Sequence, residues 1–115
     1  MPEYDLRLRT KSFALSIIRL YTTLPKREEA QVIGKQVLRS ATSVGSNYRE
    51  AYRARSDAEF IAKLGDCLKE LDETAFWLEL LVESNIMPSP RMMPLLDETD
   101  QLIAIFTTIV KKKKG

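Results

Sequence analysis

The chain of 115 residues contains no histidine and a single cysteine, Cys67. These absences remove most of the residue vocabulary of metal ligation and nucleophilic catalysis, and a lone cysteine cannot staple the chain to itself. Glycine (4) and proline (5) are scarce, which excludes collagen-like and low-complexity architectures. The longest nearly apolar stretch, Leu102 to Val110, is less than half of the roughly 20 residues that cross a bilayer, so no membrane association is expected. The opening MPEYDLRLRTKS lacks an apolar secretory core, and a reducing cytoplasm is the expected compartment. With 44% hydrophobic and 30% charged residues, the composition is that of one globular domain over residues 1–115.

Hydrophobic spacing predicts four helices. The first runs from about Leu6 to Leu24, with Leu6, Phe13, Ile17, Leu20 and Leu24 on one stripe that Ala14, Ile18 and Tyr21 widen into a core-facing surface. Pro25 disfavours helical geometry at Leu24 and can open the second helix, which reaches to about Arg55. Its stripe is Ala30, Ile33, Val37, Ala41, Val44, Tyr48 and Ala51. Ser56 and Glu59 read as a capping box for a third helix ending near Ser84. There Phe60, Leu64, Leu68, Leu71, Ala75, Leu78 and Val82 face inward, flanked by Ile61, Cys67, Trp77 and Leu81. Ser89 is the expected cap of a fourth helix with Pro90 at its first position, and Pro94 means that either the helix begins nearer Met92 or its first turn is distorted. The short connections make an all-α, antiparallel up-down-up-down four-helix bundle the economical fold. The terminal Lys111 to Lys114 is expected to be disordered.

Charge is unevenly placed. Residues 1–57 hold 11 Lys/Arg against 6 Asp/Glu, whereas residues 58–110 hold 3 against 10. On the second helix Lys35, Arg39, Arg49 and Arg53 fall on one strip with Thr42 and Ser46, which suits a phosphate backbone. No aromatic residue punctuates that strip, and a solvated face pairing with acids on a neighbour is the competing reading. Beside the apolar stripe run Ser40, Ser43, Asn47 and Glu50, read together with Glu70 as a structural network setting register. The acids of the third helix lack the His partners of di-metal bundles, so no metal and no cofactor is expected. Cys67 has no cationic activator nearby in sequence and reads as an inert buried thiol. No acid-base pair suggests catalysis.

At Arg39 to Ala51, RSATSVGSNYREA, the sequence resembles the bacterial four-helix bundle proteins encoded by intervening sequences of 23S ribosomal RNA genes. Arg39, Ser40, Ser43, Asn47 and Glu50 match the first family motif, and Phe60 to Leu81, with Glu70 and Leu71, looks like its third helix. Asp66-Cys67 and Tyr48-Arg49-Glu50-Ala51 depart from the usual pattern. The resemblance implies a pentameric homo-oligomeric ring with a positive surface and no enzymatic activity. One branch is similar to a reverse-transcriptase accessory protein of diversity-generating retroelements, which makes RNA, DNA or a reverse transcriptase the expected partner. The expected function is therefore a ring-forming interaction protein binding nucleic acid or a nucleic-acid enzyme through helix two. The alternative is a homo-oligomeric scaffold without a nucleic-acid ligand.

Overall fold

A computed structural model describes residues 5–115. It contains helices α1 (Asp5–Thr22), α2 (Glu28–Tyr52), α3 (Asp57–Glu83) and α4 (Ser89–Lys114), with no strand among the described residues. Contact partners fix their directions. Between α2 and α3, Ser40 meets Thr74, Val44 meets Cys67 and Glu50 meets Lys63. One number falls as the other rises, so these helices are antiparallel. Tyr21 with Gln31 and Arg7 with Tyr52 show the same for α1 and α2. Lys113 beside Asp57 closes α4 back along α3. The result is an up-down-up-down rod of 45 × 20 × 19 Å, in which α1 touches α4 only lightly. Arg9 bridges that seam, donating to both Glu98 oxygens at 2.8 Å and to Gln101 at 2.7 Å. No described helix is long and apolar enough to cross a membrane.

The stripes on α1 and α2 are buried as their spacing predicts, except that Ile33 is only half-buried and Gly34 takes the interior; of the residues expected to widen the α1 face, Ala14 and Tyr21 are half-buried but Ile18 is exposed, lying too far round the helix. On α3 the interior line is rotated from the one expected. Leu64, Cys67, Leu71, Thr74, Leu78 and Leu81 form the buried seam, while Phe60, Leu68, Ala75 and Val82 stand at its edges. This seam alternates spacings of three and four, but two of its members, a Cys and a Thr, carry a weak apolar signal. Thr74 is tolerated because its hydroxyl bonds to Ser40 Oγ at 2.8 Å and donates to the Glu70 carbonyl at 2.8 Å. The indole N–H of Trp77 is buried without a hydrogen-bond partner among the described residues.

Several ends differ from expectation. Pro25 does not open α2. The Pro25 carbonyl instead accepts from Gln31 Nε2 at 2.8 Å, and the helix starts at Glu28 with two acids in its first turn. α2 stops at Tyr52, three residues before Arg55. At α3, Ser56 accepts from the Glu59 amide, whereas the Glu59 carboxylate reaches the Arg55 amide rather than that of Ser56. Asn85, at φ 64°, supplies the left-handed residue after α3, and the amides of Ile86 and Met87 return to the Leu81 carbonyl. Ser89 is the first residue of α4 rather than its cap, and Pro94 lies inside that helix. The lysine tail is helical through Lys114, contrary to the expected disorder.

Two glycines give a direct stability test. A methyl group at Gly34 would collide with Leu24 Cδ1 and stand 3.1 Å from Tyr21 Cδ1, and Leu24 is itself buried. At Gly65 it meets nothing within 4 Å. Gly65→Ala is expected to raise the unfolding free energy by about 0.5–1 kcal/mol through helix propensity. Gly34→Ala, measured in the same urea titration, is expected to lower it.

Candidate nucleic-acid interface

Because the helices alternate in direction, the starts of α1 and α3 and the ends of α2 and α4 share one end of the rod. Segments 5–14, 40–70 and 101–115 make up that half. They contain twelve of the eighteen Lys and Arg residues but six of the sixteen Asp and Glu residues. In three dimensions the charge asymmetry is therefore a basic pole, joined by the lysines of α4.

A groove of about 740 Å³ opens at this pole between α1, α2 and the start of α3. Its α1 and α2 walls carry small residues: Thr10 and Ala14 on one side, Thr42, Gly45 and Ser46 on the other. The Thr42 hydroxyl donates to the Leu38 carbonyl at 2.8 Å, so the wall satisfies its own polar groups. Six cations line the groove: Arg7, Lys11, Arg49, Arg53, Arg55 and Lys63. Both lining carboxylates are engaged. Glu50 pairs with Lys63 at 2.6 Å, a bond that raises the lysine pKa, and Glu59 accepts from the Arg55 amide at 2.8 Å. Arg7, Lys11, Arg49, Arg53 and Arg55 have no ion pair among the described residues. Tyr48 forms a buried wall and stacks on Phe106 with ring centres 5.6 Å apart. At the rim, Tyr52 is half exposed with the Arg7 guanidinium 4.5 Å above its ring.

The four cations read from α2 separate into different settings. Arg49 and Arg53 line the groove, while Lys35 is exposed outside it. Arg39 binds Glu70 at 3.3 Å and Glu73 at 2.6 Å, so the pairing of basic and acidic halves within one protomer holds for this residue. Arg9 with Glu98 is a second such case.

The five residues read as one polar network are likewise dispersed. Ser40 bonds to Thr74, Ser43 donates to the Arg39 carbonyl, Glu50 pairs with Lys63 and Glu70 with Arg39. Asn47 is half-buried and makes no side-chain hydrogen bond among the described residues. The buried polar link between α2 and α3 is thus Ser40 with Thr74, a partner the sequence reading missed.

Arg7, Lys11 and Tyr52 were also outside the strip read from sequence. The spacing of Arg7, Lys11 and Ala14 on one face of α1 was a visible signal, but its proximity to α2 was not. Among the described residues no group of three or more His, Cys, Asp or Glu side chains is placed to hold a metal. Cys67 donates weakly to the Val44 carbonyl at 3.6 Å, and burial pushes its thiol up to about 12, which keeps it protonated and unreactive.

Fold and groove together define a small all-α bundle protein with a cationic pole. The chain belongs to the 23S rRNA-intervening sequence protein family, whose model matches residues 3–108. A crystal structure of a protein of unknown function from the S23 ribosomal protein family of Bacteroides thetaiotaomicron is similar over 96% of this chain and 99% of that one. The identity is 35% and the TM-score 0.89. A search of curated proteins finds no match.

Proposed function

We propose that this protein is a non-enzymatic, ring-forming interaction protein that binds nucleic acid, free or carried by a nucleic-acid enzyme such as a reverse transcriptase. The observation that carries this reading is the convergence of Arg7, Lys11, Arg49, Arg53 and Arg55 on one groove without ion-pair partners among the described residues. Unpaired cations held together repel one another, and a polyanion relieves that repulsion while releasing its own counterions. The exposed Leu8, Leu15 and Ile18 on α1 offer an apolar strip to a second copy, in keeping with assembly. Arg39, matched to acids of α3 within its own protomer, lies outside this set.

A salt series on labelled RNA and DNA tests the reading. If five cations each neutralise one phosphate, the slope of log affinity against log salt is about −3.5 to −4.5. Affinity then falls by about a hundredfold or more between 50 and 200 mM salt. Arg49→Ala with Arg53→Ala is expected to flatten the slope by about 1.4 to 1.8. Undetectable binding at low salt, or an unchanged slope in the double variant, would overturn it.

A further inference from the structure

We infer that the groove selects single-stranded over duplex nucleic acid, with Tyr52 as the platform on which an unpaired base stacks. The inference rests on the nucleic-acid reading above and narrows it to one ligand form.

The groove is narrow. Packed helices lie about 8–10 Å apart, so the small side chains between α1 and α2 sit at the bottom of a narrow furrow. Arg7 and Lys11 stand on one bank, Arg49 and Arg53 on the other. A duplex is a rod about as wide as this whole bundle, and its bases are stacked in its interior. It can touch the banks with one backbone but leaves the furrow empty. A single strand is thin enough to follow the furrow, whose floor is closed where Gly45 lets α2 approach the Thr10 backbone and whose sides carry only the small Ala14 and Ser46 beside the cations.

Beside the groove stands an exposed aromatic ring. Tyr52 is the last residue of α2, directly before Arg53 and three positions after Arg49, so the ring lies among the cations that would hold the backbone. It is 50% exposed, so its ring face is open to a ligand. The Arg7 guanidinium already rests over its face at 4.5 Å, which shows that a planar cationic group can reach that face. A base takes the same place with the same stacking geometry, and the released Arg7 head turns to a phosphate. Stacking on an aromatic ring needs an unstacked base and is indifferent to sequence. It therefore rewards single strands and adds nothing for a duplex.

Fluorescence anisotropy with labelled oligouridylate, oligothymidylate and a mixed-sequence duplex of equal length tests this in the full chain. The single strands are expected to bind about tenfold more tightly than the duplex, and the two oligonucleotides separate an RNA from a DNA preference. Tyr52→Ala is expected to weaken single-strand binding about tenfold and leave duplex binding unchanged. Tyr52→Phe restores the single-strand value, which a merely structural role for the phenol would not do. An unchanged melting temperature in Tyr52→Ala confirms that the bundle is intact. If salt-dependent binding persists but ignores Tyr52, or if duplex and single strand bind alike, the stacking inference fails and the wider reading stands. If nothing binds at low salt, both fall.

Discussion

Replacing Phe106 by Ala is expected to lower the stability of the bundle by about 3–5 kcal/mol, and its melting temperature by about 12–20 °C. Phe106 is fully buried near the end of α4, a helix that touches α1 only lightly. Its ring stacks on Tyr48 of α2 with an interplanar angle of 14°. Truncation removes that stacking contact and leaves a cavity that Leu64 and Leu102, already fully buried, cannot fill without leaving their own contacts. Leu8→Ala is the matched control. Leu8 is 68% exposed, and its loss is expected to change the stability of the monomer by no more than about 0.5 kcal/mol. The same Phe106 variant should weaken nucleic-acid binding below its melting temperature, because Tyr48 is a wall of the groove and Phe106 is its backing. Calorimetry with anisotropy checks both. A shift of only a few degrees would mean that α4 contributes little to the cooperative core.

Much of this fold was legible in the sequence because a helix announces itself through local periodicity. The central α1 stripe is made of large apolar residues and the α2 stripe of small and β-branched ones at regular spacing, so most of their buried positions follow from periodicity. The α3 face was harder for a physical reason. Its flanks carry Phe60, Leu68 and Val82, while its true centre includes Cys67 and Thr74, so hydrophobicity alone points a fraction of a turn away. Thr74 becomes an interior residue only once Ser40 stands opposite it, and that register is a property of two helices together. Helix ends were misplaced where side-chain contacts rather than periodicity decide them. Pro25 is a sound helix opener by its dihedral angle, yet its carbonyl is held by Gln31 and Arg27 is still extended, so the helix starts at Glu28.

The candidate site was half visible. Arg49 lies in the last turn of α2 and Arg53, four residues on, at its C-cap, so a helical projection of the segment brings them together. Their partners Arg7 and Lys11 are forty residues away, and only the antiparallel return of α1 along α2 assembles the groove. Arg39 shows the opposite failure: it belongs to the same strip but meets the acids of α3, which one helix alone cannot reveal. The charge pattern changes meaning in the same way. Read along the chain it divides a basic front from an acidic back. Folding places the front of α1, the end of α2 and the lysines of α4 at one pole, so the asymmetry runs along the rod.

Reversing both groove arginines, Arg49→Glu with Arg53→Glu, is expected to abolish nucleic-acid binding while leaving the assembled mass unchanged. Each substitution moves the local charge by two, so a groove lined by six cations and two carboxylates becomes one with four of each. A polyanion then meets no net attraction, and loss exceeds a hundredfold at low salt, where the wild-type groove binds most tightly. Neither arginine holds an ion pair among the described residues, so the bundle loses no internal salt bridge. Its cost is the favourable interaction of Arg49 with the C-terminal end of α2, worth about 0.3–1 kcal/mol and visible as a melting shift of a few degrees. Light scattering on wild type and variant decides between the two readings of the cationic pole. Equal masses with binding lost place these arginines toward an external polyanion. A variant that falls apart into monomers places them against the acids of a neighbouring copy, and the protein is then a scaffold whose basic pole serves assembly.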